Sequence, residues 1–306
     1  MDTWVNKIAR IIKTGTKGAI YLHRRFGVNY FQLLRSLLSR DKKITIPIKD
    51  LSVNMDIRVA LYISNSLWNI EKYGWKLNIN NVNDDLVIYE NNQKGIKIYS
   101  RIDDALGYAT IIEEIFIWEI YKADVKNKVV IDVGAYRGES AIYFALQGAK
   151  KVVALEPDEE NYELALMNVK ENELEDRVLL LNKAVADKEG VVNLYRYSYP
   201  SPHGSTDPSN IPASAYKTVV KQVEAITLDK VIKIAGERIG LLKLDCEGCE
   251  YSVLNSFSNY DMIDNIILEY HNGLQNLPSL LKSQGFEVEI KGGDNERIGM
   301  LRAYRG

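Results

Sequence analysis

Apolar positions along this chain follow two regimes, and the change falls near Lys128. Before it the patterns are short and mixed. Trp4, Val5, Ile8, Ile11 and Ile12 recur at helical spacing, with Lys7, Arg10 and Lys13 between them, which predicts a basic amphipathic helix. Leu86–Tyr89 and Ile96–Tyr99 alternate and are joined by residues 90–95, which predicts a hairpin. Ile111–Tyr121 spaces Ile112, Ile115, Phe116 and Glu119 for one buried helical face.

From Lys128 onward the pattern is regular. Val129–Val133 is a continuous apolar run, as in a strand buried on both faces. Further strands are predicted at Val152–Leu155, Val178–Val185, Leu241–Leu244, Ile266–Glu269, Phe286–Ile290 and Ile298–Tyr304. Helices are predicted at Glu139–Gln147, Glu159–Glu171, Tyr251–Phe257 and Leu277–Gln284. Strands alternating with helices mean βαβ units and an α/β fold with a mostly parallel sheet covered on both faces. Ligands in such sheets bind beyond the carboxyl ends of the strands. Residues 191–226 form an insertion holding Tyr195, Tyr197, Tyr199 and His203, read as a hairpin, Val191–Tyr197 with Thr218–Ile226, and a surface loop. Three segments follow: a basic, mainly helical segment at 1–43, a small α+β extension at 44–95 and an α/β domain at 96–306.

Composition narrows the picture. The 306 residues are 46% hydrophobic and 26% charged, which excludes disordered and fibrous classes. The longest runs free of charged residues, such as Val59–Ile70, reach 12 residues, too short for a spanning helix. No apolar targeting region stands at the N-terminus, so no secretory signal is expected. The net charge of −2 argues against nucleic acid as a partner of the whole surface. Charge is nevertheless uneven. Residues 1–43 carry ten Lys and Arg against Asp2 and Asp41, a local +8. Such a segment suits a peripheral contact with an anionic membrane, or else a stripe packed on the protein. Cys246 and Cys249 are the only cysteines. They exclude a disulfide framework, lack the further ligands of a zinc site, fit a reducing cytoplasm, and are expected to be incidental.

The chemistry-bearing residues stand just after predicted strands. The first strand runs into Asp132-Val133-Gly134-Ala135-Tyr136-Arg137-Gly138-Glu139-Ser140. Its glycine spacing is G-x-x-x-G rather than G-x-G-x-x-G, which favours a ligand without phosphates. Glu156, followed by Pro157, ends the second strand 22 residues after Gly134 and is placed to accept ribose hydroxyls. Asp245 and Glu247 follow the fourth strand, and Glu269 and His271 the fifth. His271 is the best-placed general base, because imidazole titrates near neutrality.

V-V-I-D-V-G-A-Y-R-G-E-S, V-A-L-E-P, N-K-A-V-A-D-K-E-G and L-L-K-L-D-C-E-G-C-E-Y-S-V-L, in this order, resemble the FkbM-type methyltransferases over about residues 96–306. The resemblance implies a Rossmann-like seven-stranded sheet with an antiparallel last strand, S-adenosylmethionine as donor, and O-methyl transfer to a hydroxyl of a sugar, glycan or secondary metabolite. It implies cofactor contacts at Asp132, Gly134, Ala135, Tyr136, Gly138, Ser140, Glu156, Pro157, Ala184 and Asp245. It implies an active centre at Asp245 and Glu247, to which placement adds His271. Tyr136 departs from the family's usual Asn in G-A-N. A divalent metal on Asp245, Glu247 or Glu269 could lower the hydroxyl pKa instead, but no metal is expected. Two rival classes are an NAD-dependent oxidoreductase or epimerase, which lacks its G-x-G-x-x-G here, and a non-catalytic glycan- or partner-binding module.

Overall fold

The computed structural model describes residues 17–38, 43–48, 51–79, 86–198, 202–206, 218–291 and 297–305. The basic stripe at Trp4–Lys13 lies outside the described residues, as do Tyr199 and most of the loop after it. The chain forms two compact units, Met1–Glu119 and Ile120–Gly306. The boundary places the predicted hairpin and the helix after it with the N-terminal unit, not with the sheet that begins at Val129.

The first unit contains α1 (residues 17–26), α2 (Tyr30–Leu38), the antiparallel pair β1 (Lys43–Ile48) and β2 (Leu51–Asp56), and α3 (Ile57–Lys72). A three-stranded meander follows, β3 (Trp75–Asn78), β4 (Leu86–Asn91) and β5 (Ile96–Arg101), and then α4 (Tyr108–Phe116). Asp56 starts α3 by accepting a hydrogen bond from the Arg58 amide at 2.8 Å. Ile57, Ala60, Ile63, Leu67 and Ile70 then recur on one face of α3 and are buried. The helix predicted to reach Tyr121 ends at Phe116. Glu119 has a positive φ, which a continuing α-helix does not allow.

The second unit is built on a seven-stranded sheet. Its strands are β6 (Val129–Val133), β7 (Lys151–Leu155), β8 (Val178–Leu181), β13 (Ile239–Leu244), β14 (Asn265–Tyr270), β15 (Glu287–Lys291) and β16 (Gly299–Tyr304). They lie in the order β15-β16-β14-β13-β6-β7-β8, with β16 antiparallel to both neighbours and the other pairings parallel. This is the Rossmann-like arrangement, in which the strand order reverses between β6 and β13. On one face α7 (Leu228–Ala235), α8 (Glu250–Ser256) and α9 (Leu277–Ser283) share a core with Val129, Ile131, Leu242, Leu244, Ile266 and Leu268. On the other, α5 (Glu139–Leu146) packs on β6 and β7 with Ala141, Ile142 and Phe144 fully buried, and α6 (Glu159–Glu171) packs on β8. Each Val, Leu, Ile or Phe side chain so buried contributes about 1.5–3 kcal/mol.

One predicted strand is corrected. Val178–Val185 is not continuous: β8 stops at Leu181, and Ala184–Val185 forms β9 in a second sheet. That sheet has the order β11-β10-β12-β9, where β10 is Gly190–Ser198, β11 Pro202–Ser205 and β12 Thr218–Ile226. The predicted hairpin of the insertion is present as β10 and β12, with Tyr195 opposite Val220. Among the described residues no helix is long and apolar enough to cross a membrane.

Candidate functional site

The carboxyl ends of β6, β7, β13 and β14 lie together where the strand order reverses. Gly134, directly after β6, has φ +79, and a Cβ there would lie 1.8 Å from the backbone oxygen of Asp245 after β13. The glycine is therefore required by a backbone approach within the protein. Gly138, also at positive φ, packs against Ala165 of α6 and starts α5. The amides of Gly134 and Ala135 both donate to the Leu155 carbonyl at 3.0 Å. Backbone donors that would cradle a pyrophosphate are thus already committed.

Glu156 is buried at the end of β7 and accepts from the amides of Tyr136 at 3.0 Å and Asp158 at 2.9 Å. Burial outweighs those two bonds and pushes its carboxyl up to about 8. Such a carboxylate gains from further hydroxyl donors, because they favour its charged form. Pro157 follows, and the Asn182 side chain ties the Glu156 and Pro157 carbonyls together. Asp158 caps α6 and also pairs with Arg196 of β10 at 2.7 Å. Ala184 lies buried in β9, paired with Ala225.

Tyr136 has φ +49, the left-handed region. Asparagine tolerates that conformation better than tyrosine does, which accounts physically for an Asn preference at this place in G-A-N. The Arg137 guanidinium lies over the Tyr136 ring, 4.7 Å from its centroid.

Asp132 and Lys243 are in register on adjacent strands and share one face. Both are fully buried and form an ion pair at 2.9 Å. Ser140 donates to the other Asp132 oxygen at 2.6 Å. Lys243 also donates to the Gly134 carbonyl at 2.8 Å and stands 4.0 Å from Asp245. The ammonium remains charged: burial lowers its pKa, but Asp132 and Asp245 outweigh burial and raise it. Asp132 and Ser140 therefore act as anchors for Lys243, which holds the turn after β6 against the loop after β13.

That loop, Asp245 to Glu250, carries the remaining candidates. Tyr121 donates to Asp245 Oδ2 at 2.6 Å. Glu247 has φ +56, and its carbonyl accepts from Ser205 of β11. Glu250 is fully buried and accepts from the amides of Cys246 at 3.1 Å and Gly248 at 3.3 Å. His271, at the end of β14, faces Glu250 through Nδ1 at 3.1 Å. Its Nε2 stands 3.5 Å from Glu247 and 3.8 Å from Asp245. Burial lowers the His271 pKa, but Glu250, Glu247 and Asp245 outweigh it and raise the imidazole to about 10. At neutral pH it is a cation. Asp245, Glu269 and His271 bring one donor atom each within 4.8 Å of one another, a set that could hold a divalent cation only with His271 deprotonated.

The structure joins Cys246 to Cys249 in a disulfide across this loop, which corrects the expectation that these cysteines are incidental. The spacing alone does not decide it. The turn from β13 into α8, with Glu247 and Gly248 at positive φ, brings the two sulfurs together.

The predicted residues thus fall into two adjoining groups, Gly134 to Ser140 with Glu156 on one side and Asp245, Glu247 and His271 on the other. Lys243, Glu250 and Tyr121 complete the site and were not singled out from the sequence. Lys243 had a signal, a lysine inside a buried apolar strand. Tyr121 had none, since it meets Asp245 across 124 positions.

The family model described as the Methyltransferase FkbM domain matches residues 132–288, just over half of the chain. The chain belongs to the FkbM methyltransferase family. Among solved structures, an FkbM methyltransferase from Methylobacillus flagellatus is 14% identical, with 65% of this chain and 52% of that one covered and a TM-score of 0.40. The M. capricolum TrmK bound to S-adenosyl-homocysteine is 13% identical, with 61% of this chain and 66% of that one covered and a TM-score of 0.40. A ribosomal protein L11 methylase from Lactobacillus delbrueckii is 17% identical, with 64% and 78% covered and a TM-score of 0.40. This chain spans about half the length of its FkbM neighbour and just under two thirds of TrmK. A search of curated proteins finds no match.

Proposed function

We propose that this FkbM family member is an S-adenosylmethionine-dependent O-methyltransferase acting on a hydroxyl of a sugar, glycan or secondary metabolite. The observation that carries the proposal is the adjacency of two chemistries at one sheet edge. A buried, ligand-ready Glu156 stands beyond β7, and an acid–imidazole cluster stands beyond β13 and β14.

The residues fit the donor. Glu156 would accept both ribose hydroxyls, whose donation offsets the cost of its buried charge. The turn from Gly134 to Tyr136, its first two amides already paired with Leu155, suits a ligand that brings no phosphates. When bound, S-adenosylmethionine supplies a methyl group on a sulfonium, already a good leaving group. The chain must then orient the acceptor and take its proton. Asp245 and Glu247 can accept hydrogen bonds from that hydroxyl. Glu250 holds the His271 ring so that Nε2 points toward both carboxylates. His271 could take the hydroxyl's proton only in its deprotonated form; with the imidazole protonated, Asp245 and Glu247 are the groups able to accept it. The disulfide sets a condition on the compartment, since cytoplasmic thiols keep most cysteines reduced.

The test is methyl transfer from labelled donor to a panel of hydroxyl-bearing glycans and small metabolites, using wild type, Glu247→Gln and His271→Ala. Transfer by wild type and a loss of roughly 100-fold or more in each variant, with donor binding retained, supports the proposal. Equal transfer by all three proteins would sink the assignment of the cluster.

A further inference from the structure

We infer that the exposed face of α2 is a docking surface for anionic lipid bilayers, carrying the protein to membrane surfaces as a peripheral protein. The inference stands on the first unit alone and is independent of the methyltransferase proposal.

The exposed face consists of Tyr30, Phe31 and Leu34. Phe31 is 73% exposed, Leu34 55% and Tyr30 53%, although each has an apolar side chain of the size usually found in a core. Positions i, i+1 and i+4 share one side of a helix, so the three form one patch. Leu33, beside Tyr30 on the helix, is buried and fixes α2 on the unit. The patch is preformed. Asn29 and Gln32 cap the helix start reciprocally, the Gln32 amide donating to Asn29 Oδ1 at 2.7 Å and the Asn29 amide to Gln32 Oε1 at 3.0 Å. The Tyr30 ring stacks on His23 of α1 at 4.7 Å.

Charge identifies the occupant. Arg35 borders the patch on α2, and Arg24 is exposed on α1. Residues 1–43 carry +8, whereas the remaining chain carries −10. An anionic surface therefore attracts this segment. The patch is convex and helical, with aromatic and aliphatic side chains flanked by arginine. Such a face needs no shaped partner groove: its apolar tips enter the acyl boundary while the arginines remain among the headgroups. The same pattern recurs in the sequence at Trp4–Lys13.

The experiment is co-sedimentation of the full chain with sucrose-loaded vesicles of phosphatidylcholine alone and of phosphatidylcholine mixed with phosphatidylglycerol. The proteins are wild type, Phe31→Ser/Leu34→Ser and Arg24→Glu/Arg35→Glu. All changed side chains are exposed, so unchanged circular dichroism and melting are expected. Wild type should sediment with the mixed vesicles and not with neutral ones, and salt should release it. Each double variant should bind at least about tenfold more weakly. Equal binding by wild type and variants would overturn the inference, as would equal binding to both kinds of vesicle. A wild-type dimer that the Phe31→Ser/Leu34→Ser change dissociates, without vesicle binding, would assign the face to a second copy and overturn it too.

Discussion

Glu156 and His271 carry opposite charges in solution, yet burial and neighbours push both toward the protonated state. Glu156 rises from 4.5 to about 8, so the native state holds a proton that the unfolded state has lost across that window. Stability conferred there falls as pH rises from 4.5 to 8. Glu156→Gln keeps the neutral form at every pH. Its melting temperature should therefore gain on wild type as pH is raised from 5 to 8, within roughly those limits. A constant offset between the two proteins would contradict the burial argument. His271 rises from 6.5 to about 10, so its pairing with Glu250 is fully stabilising below 6.5 and is lost as pH climbs through 10. An imidazole that holds this proton cannot accept another, so methyl transfer that uses His271 as base should rise with pH from neutrality toward 10, and a pH–rate profile of His271→Gln should lack that limb. A wild-type profile flat over that range would contradict His271 as the base. The sequence made His271 legible by its place at a strand end. Its charge state was not legible, because Glu250 and Glu247 reach it only through the turn between β13 and α8.

Among the elements, the pair β6 and β13 does most to position the site, and Lys243 is its fastening. Lys243→Met leaves Asp132 buried without its cation and should cost about 3–5 kcal/mol in chemical denaturation. Adding Asp132→Asn should recover much of that loss, because the uncompensated charge disappears. An additive double variant would mean that the ion pair does not couple the strands. The strands themselves were readable, since buried parallel strands are continuous apolar runs. The end of β8 is not legible, because Leu180–Val185 stays mostly apolar across Asn182 and Lys183 while the chain changes sheets. The helix α7, absent from the predicted elements, carries Leu228, Val231, Ile232 and Ala235 on one buried face. The disulfide between β13 and α8 has its own check. Denatured, unreduced protein should take up no alkylating agent at Cys246 or Cys249, and reduced protein should take it up at both. Full alkylation without a reductant would remove the disulfide from this account.

For the whole molecule, the C-terminal unit has the Rossmann-like topology and carries the segment that matches the FkbM methyltransferase family. The N-terminal unit has no counterpart in the matched family segment, residues 132–288, and supplies a basic, apolar-faced end. Family motifs made the second unit legible in sequence, because strand-end chemistry has to sit close to its strand. The first unit gave only local patterns, and its exposed α2 face emerged only once Leu33 was seen to be buried and Phe31 was not. The most direct test of the central claim is isothermal titration of S-adenosylhomocysteine into wild type and Glu156→Ala, with NAD as the control ligand. Binding to wild type, weakened about 10- to 100-fold in the variant, with no heat from NAD, is the expected result. Binding of NAD in place of S-adenosylhomocysteine, or equal affinity of the two proteins for the latter, would contradict a donor site built on Glu156.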